Sequence, residues 1–398
     1  MQLPPLAAEQ LVKPRGFELR MSLIFAAIFL TPGIHLPYLP LWLDEQGFDA
    51  QQIALILSAP MFLRVVSTPI ITALADQSRD RAHVLILAIV GSLVVSLGYF
   101  AKPTYMLVLV VSLLLAIFLT PIPPLTDSLA LSGVRRFGSN YARMRIWGSA
   151  AFLAANFFGG LLLSCTGVGS VPLLMSAGLA IALVAAWFSP RLGRPRVASL
   201  LSAVDLQEAG SRLFRWPLLL VLGGAGLIIG SHGFLYGFAS IYWESIGIGE
   251  GVVGVLWSWA VVAEICVFLG FNRFFARYSS AFVLLLAGLA SMVRWTVMPF
   301  LWPLGAGVAG FFVVQSLHSL STGLILIGVQ KVIAESVPER RTGAAQGLAF
   351  FANGLSMAAV TLASGPLYAA FGMYGMLAMT GVAFAGVAMI LLAGRLAD

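Results

Sequence analysis

Charge is what this chain has least of. Only 10% of its 398 residues are Asp, Glu, Lys or Arg, against about 25% in soluble domains. With 60% of residues apolar, a globule of this size has no way to hide its apolar surface from water. Lipid is therefore the expected solvent for most of the chain. Lysine occurs only as Lys13, Lys102 and Lys331. None stands in a Gly-Lys-Ser/Thr run, so there is no P-loop and an ATP-driven pump within this chain is disfavoured. The two cysteines, Cys165 and Cys266, lie far apart in apolar runs. They exclude a disulfide framework and read as small buried hydrophobes. There is no His-Glu-x-x-His and no Cys-x-x-Cys. No enzyme activity, cofactor or metal is expected.

The charge that is present is placed unevenly. Twenty of the 23 Lys and Arg residues fall at the N-terminus, in every second gap between apolar runs, or at the C-terminus. The alternate gaps carry one cation, Lys102, and five acids, Asp44, Glu45, Asp49, Glu244 and Glu250. This is the positive-inside pattern. It predicts a multi-pass protein of the bacterial inner membrane, with both termini cytoplasmic and an even number of spans. The net charge of +7 belongs to that pattern and does not point to nucleic acid. The two remaining cations, Arg64 and Arg294, lie inside apolar runs, where charge is costly and functional by default.

A bilayer core of about 30 Å needs about 20 helical residues. Runs of that kind lie at about 19–43, 51–75, 83–101, 104–132, 145–165 and 170–189. They resume at about 216–242, 251–272, 280–300, 303–333, 342–366 and 371–394. The first run is too long for a signal-peptide core and is expected to stay as a span. The fold class is all-α membrane protein, with twelve transmembrane helices in two six-helix bundles. The expected domains are 1–189, a cytoplasmic linker at 190–215 whose middle suits a short amphipathic helix, and 216–398. Gly and Pro are frequent inside the spans, for example Pro32, Gly33, Pro37 and Pro40. Most serve packing and bending, which membrane helices tolerate where neighbours or a cavity satisfy the backbone. Six plus six helices around a cytoplasmic linker suggest a secondary transporter built around a midplane site. The linker is too short for a signalling domain, which weighs against a membrane sensor.

The loop after the second run, Ala73-Leu74-Ala75-Asp76-Gln77-Ser78-Arg79-Asp80-Arg81, resembles the signature loop of the major facilitator superfamily. Ala73 and Arg79 stand where that signature has glycine. The resemblance implies a cytoplasmic gate of Asp76, Arg79 and Arg81; plain topology charge is the alternative. Asp127 lies late in the fourth run and Arg145 opens the fifth, so antiparallel neighbours can bring them together. The stretch from Asp127 through Tyr141 to Gly148 resembles the lactose permeases, where such a pair holds the sugar. A structural staple is the competing reading. Leu284 to Gly288 also looks like those permeases, and Arg294 then falls on their coupling arginine. In the tenth run, Gln315, His318 and Ser321 share a helical face. Lactose permeases have Lys, His and Glu there, so only His318 is retained, and proton coupling does not carry over to Ser321.

Over most of its length the chain resembles the phenylpropionate permease branch of the superfamily, related to lactose permeases and nucleoside:proton symporters. The marks are Tyr38 to Leu43, Tyr141 to Gly148, Tyr242 to Gly247, Leu256 to Glu264, and Gln315 to His318. The resemblance implies proton-coupled uptake of a small polar organic solute, with an aromatic carboxylate among the possibilities. A sugar or nucleoside symporter and an efflux carrier are the alternatives. Glu264 is the only Glu deep in a run. Burial disfavours its ionised form and a nearby arginine favours it, the balance a proton carrier needs. Glu264, Arg294 and His318 are the expected coupling set, with a permanent Glu264–Arg294 bridge as the alternative. Asp127, Arg145, Arg64, Tyr38, His35, Tyr236, Trp257 and Gln315 are the expected solute-binding set. Trp147 and Trp259 join Tyr38, Tyr236 and Trp257 as candidates for an aromatic wall. His232 is a further polar residue in the seventh run. The expected partners are the solute, protons and the bilayer, and the chain is expected to act as a monomer.

Overall fold

The computed structural model describes residues 12–78, 80–192, 215–275, 277–337 and 342–397, without the side chains of 69, 72–77, 272, 343 and 397. Every regular element among the described residues is helical. Eleven helical segments are long and apolar enough to cross a membrane. The last, Ala344–Leu396, runs for 53 residues, more than twice the length one crossing needs.

The chain divides into two compact units, Met1–Gln46 with Leu63–Leu200, and Gly47–Phe62 with Leu201–Asp398. The first unit holds α1 (Phe17–Glu45), the later part of α2 (Ala50–Gln77), α3 (Arg81–Ser96), α4 (Tyr105–Leu119), α5 (Ile122–Phe137), α6 (Tyr141–Thr166) and α7 (Val171–Trp187). The second holds the start of α2, then α8 (Trp216–Gly230), α9 (Gly233–Ser245), α10 (Glu250–Phe274), α11 (Ser280–Val297), α12 (Gly307–Ser316) and α13 (Leu324–Ser336). It ends with α14 (Thr342–Phe371) and α15 (Leu377–Ala397), joined by a 3-10 turn at Gly372–Met376.

In the first unit α1 packs on α6 and α7, and its core includes Met21, Phe25, Leu85, Ile89, Leu125 and Met144. In the second, α8 packs on α14 and α15 over Leu222, Ile228, Leu284, Ile325 and Val329. The α8–α15 crossing is closed by two glycines. A Cβ on Gly224 would lie 2.5 Å from the carbonyl oxygen of Gly386, and one on Gly386 would lie 2.5 Å from that of Gly224. Small residues matter here because lipid gives helices no hydrophobic drive to associate, leaving close van der Waals packing to do it. The outward faces are apolar. Leu87, Val184, Trp187, Leu269 and Val313 are 62–81% exposed, a liability in water and ordinary in hydrocarbon. Cys165 and Cys266 are also exposed, which corrects their expected burial. Where hydrocarbon is the solvent, a small apolar thiol gains little from being covered by protein.

Three spans are interrupted in mid-course. The segment Tyr105–Phe137 breaks between α4 and α5, Trp216–Ser245 between α8 and α9, and Gly307–Ser336 between α12 and α13. The third break contains a π-helical turn, Ser319–Gly323. Local hydroxyls bond to carbonyls at these breaks, although Ala116 O also keeps its helical bond from Thr120 N. Thr120 donates to Ala116 O at 2.5 Å, Ser231 to Ile228 O at 2.6 Å, and Thr322 to His318 O at 2.7 Å. Broken backbone at membrane depth persists only where such partners or a cavity exist, and π-turns concentrate at functional sites.

Candidate functional site

In the second unit, α11 carries Arg294 to the π-turn. Its side chain is fully buried. Nη1 lies 2.9 Å from His318 Nδ1, Nη2 donates to Gln315 Oε1, and the guanidinium lies 4.7 Å over the Trp295 ring. Among the described residues no carboxylate lies within ion-pair distance of it. An arginine can only donate, so His318 Nδ1 accepts and a neutral ring carries its hydrogen on Nε2. That atom faces Glu264 Oε2 at 3.7 Å, beyond hydrogen-bond length and within ion-pair range. Thr322 Oγ1 stands 3.1 Å from the same carboxylate oxygen. Glu264 thus joins the cluster through His318 and Thr322, and Arg294 is one ring further on.

The break after α8 supplies the rest of this cluster. His232 Nδ1 faces the carbonyls of Ile228 and Ile229 at 3.2 and 3.1 Å, and its Nε2 is 3.0 Å from Ser321 Oγ. Its ring meets Trp295 and His318 edge-on, at 4.8 and 5.7 Å. Ser321 shares a sequence face with Gln315 and His318 and nonetheless binds His232. Tyr236 is half-buried beside His232 and 5.8 Å from Trp257. Gln315 Nε2 donates to Leu256 O at 3.4 Å, and Trp257 Nε1 donates to Ser240 at 2.9 Å.

The first unit gathers its polar groups differently. Helix α5 ends at Gly138, whose φ of +66° suits glycine and whose N–H returns to Val134 O. Asn140 then caps α6 by accepting from Arg143 N at 3.1 Å. The tight reversal brings Tyr141 back alongside α5, where its hydroxyl donates to Asp127 Oδ1 at 2.8 Å. Arg145 lies one turn further on. Its guanidinium stacks 4.3 Å over Phe29 and 5.7 Å from Phe25, close enough for its charge to act on Asp127 and Tyr141. Asp127 also borders a cavity of about 330 Å³ with Ser128, Ser132, Arg81 and Arg135, and Arg81 donates to Ser128 Oγ.

The sequence model of the MFS_1 like family matches residues 19–377. The chain belongs to this family. It is 29% identical over 353 residues to a probable 3-phenylpropionic acid transporter of Escherichia coli (strain K12), covering 87% of this chain and 90% of that one. It is 26% identical over 352 residues to a maltose permease of Geobacillus stearothermophilus, covering 87% and 86%. The fold matches a crystal structure of the nucleoside transporter NupG with a TM-score of 0.76, at 16% identity, over 94% of this chain and 98% of that one. This MFS_1-like protein is accordingly a multi-pass membrane protein and a secondary transporter of a small-molecule solute, not an enzyme.

Other expected residues have distinct surroundings. Tyr38 is fully buried and donates to Asn156 O at 2.5 Å. His35 and Arg64 are half-buried on α1 and α2. Trp147 is 55% exposed, and Trp259 is 43% exposed with its indole N–H on Ser316 Oγ at 2.8 Å. Of the expected gate, the Asp76 side chain and Arg79 lie outside the described residues, as does the linker at 193–214. Sequence reasoning gave no role to Tyr141 or Thr322. The three hydroxyls Ser319, Ser321 and Thr322 in an apolar span were the available signal for Thr322. Nothing in the spacing marked Gly148. A Cβ there would meet Arg145 Nη1 at 2.9 Å and Phe29 at 2.8 Å, so its bare Cα is the space in which the guanidinium lies.

Proposed function

We propose that this transporter couples uptake of a small organic acid to protons by alternating access, with Glu264 as the proton carrier. The observation that carries the reading is the chain Glu264–His318–Arg294 at the π-turn. It joins the one acid deep in the second unit to a fixed buried cation through a titratable ring. Asp127, Tyr141 and Arg145 of the first unit form the recognition face. The architecture we propose is twelve spans in two six-helix bundles, because the 53-residue final segment already divides into α14 and α15. The charge pattern of the gaps supports both termini on the cytoplasmic side of a bacterial inner membrane, and a monomer is sufficient for the mechanism.

The acid class is favoured by two things. One relative's name specifies 3-phenylpropionic acid. Arg145, the cation of the recognition face, also has no carboxylate within ion-pair distance among the described residues. The competing reading, a sugar or nucleoside symporter, draws on the maltose permease and on a putative nucleoside transporter of Escherichia coli (strain K12), 25% identical over 336 residues. A neutral solute would bring Arg145 no counter-charge. The deciding experiment is uptake of a radiolabelled panel of aromatic acids, their neutral amides, sugars and nucleosides into proteoliposomes, with and without an inwardly directed proton gradient. Accumulation of an acid that collapses with the gradient is the expected result. Gradient-independent equilibration would make the protein a uniporter, and sugar or nucleoside accumulation would favour the competing reading.

A further inference from the structure

Resting on the reading of Glu264 as proton carrier, we infer that Thr322 is a positioning residue that keeps Glu264 hydrogen-bonded in both its protonated and its ionised form. Thr322 Oγ1 has two oxygen neighbours, His318 O at 2.7 Å and Glu264 Oε2 at 3.1 Å. A hydroxyl has one hydrogen to give and two lone pairs to offer. With Glu264 ionised, that hydrogen points to Oε2. Ser321 Oγ, 3.2 Å from the same carbonyl, gives its own hydrogen to His232 Nε2, since His232 Nδ1 donates to the Ile228 and Ile229 carbonyls. When a proton from water bonds to Oε2, the new O–H donates to a Thr322 lone pair, and the threonine hydrogen turns to the His318 carbonyl. On release the proton returns to water and the hydroxyl turns back. No heavy atom has to move, and His318 keeps its own hydrogen throughout.

The surroundings make this device necessary. Glu264 is half-buried, its side chain 22% exposed, and leaving either form of such a carboxyl without a partner carries part of the desolvation penalty of that group. Among the described residues the groups that face Glu264 are few. His318 stands 3.7 Å away, with Arg294 and His232 behind it. Tyr236 on α9 is within electrostatic reach. The charges on its own helix, Glu250 and Arg273, are at the two ends. Gly323 lies beside Glu264 as well, and a Cβ there would reach only ordinary van der Waals distance, 3.5 Å, from Glu264 Cγ. The π-turn that frees the backbone therefore also supplies the side chain that serves the carrier.

The test compares wild type, Thr322→Val, Thr322→Ser and Glu264→Gln in proteoliposomes, using as probe the acid that wild type accumulates. The readouts are accumulation as a function of pH, solute exchange at equal concentrations, and Tm. Thr322→Val keeps the shape and removes the hydroxyl. It should raise the pH midpoint of accumulation by about half a unit to one unit, because both bonds are lost and the one to the ionised form is the stronger, while exchange persists. Thr322→Ser should restore the wild-type profile. If Thr322→Val does not fold, Thr322→Cys takes its place, because a thiol is a weak donor, and a shift in the same sense is expected. A wild-type pH profile in the Val or Cys variant, with only Tm lowered, overturns the inference. If Glu264→Gln still accumulates solute uphill, the carrier assignment falls as well. If Glu264→Gln fails and Thr322→Val behaves as wild type, only the role of Thr322 falls.

Discussion

In the second unit the intramembrane charge is buried and bonded on several sides. Arg294 is inaccessible, held by His318 and Gln315, and stacked on Trp295. In the first unit Arg145 is half-buried and rests on the faces of Phe29 and Phe25, while Asp127 takes one hydrogen bond from Tyr141 and borders an open cavity. A guanidinium held by directed hydrogen bonds has little freedom to re-aim. One held mainly by ring faces, with the Tyr141 hydroxyl beside it, can slide and present its other N–H groups to a guest. The contrast teaches a division of labour. A proton site needs fixed partners, because its two states differ by one hydrogen. A recognition site needs donors that are positioned and still available.

The sharpest way to break that contrast is Glu264→Gln. Accumulation driven by a pH gradient should vanish, whereas exchange between equal solute concentrations, which needs no net proton movement, should continue. Preserved accumulation in proteoliposomes would place the proton elsewhere and remove the functional difference between the units. Next in size are Arg145→Ala and Asp127→Asn. Each should weaken solute binding about 10- to 100-fold, the range of one hydrogen bond to a charged group, with folded yield retained. Titration calorimetry on purified protein reads this directly. Normal binding with lowered Tm in both would make the pair a staple between α5 and α6.

Gly148→Ala sharpens the comparison further. The added methyl would crowd the flexible end of Arg145 and the Phe29 ring, so the guanidinium should be displaced while the helix remains intact. Binding should fall by about threefold to tenfold, with a modest fall in Tm, since the Phe29 ring as well as the Arg145 tip has to move. An unaltered affinity would mean that the seat of Arg145 is unimportant. The smallest effect is expected from Trp147→Ala. Trp147 is 55% exposed, and transport should stay within about twofold of wild type. A large loss would put this indole in the recognition face and make that face wider than the Asp127–Arg145 pair.

The helices were legible because the bilayer demands long apolar runs, and the described spans lie close to those runs. The charged residues that matter were legible for a related reason. Arg64, Asp127, Glu264 and Arg294 stand out against hydrocarbon. Their partners were harder to read. Glu264 and Arg294 lie in consecutive spans, which suggested a direct bridge. The structure puts His318 between them, because the π-turn brings span-10 side chains to both. A π-turn adds one residue to a helical turn and shifts every later side chain around the axis. Face assignments made at 3.6 residues per turn therefore fail beyond it. Ser321 lies within the turn and meets His232, whose ring also contacts His318.

The sequence by itself determined that this chain lives in a membrane, that it is helical, and which few residues bring charge into the hydrocarbon. Those properties are local, since each depends on the cost of placing one side chain or one backbone group in lipid. Only the tertiary structure decided who satisfies whom. Thr322 serves Glu264, Tyr141 serves Asp127, and the missing side chain of Gly148 makes room for Arg145. A hydrogen bond depends on distances of a few tenths of an ångström between groups far apart in the chain, and spacing along a helix carries no record of them.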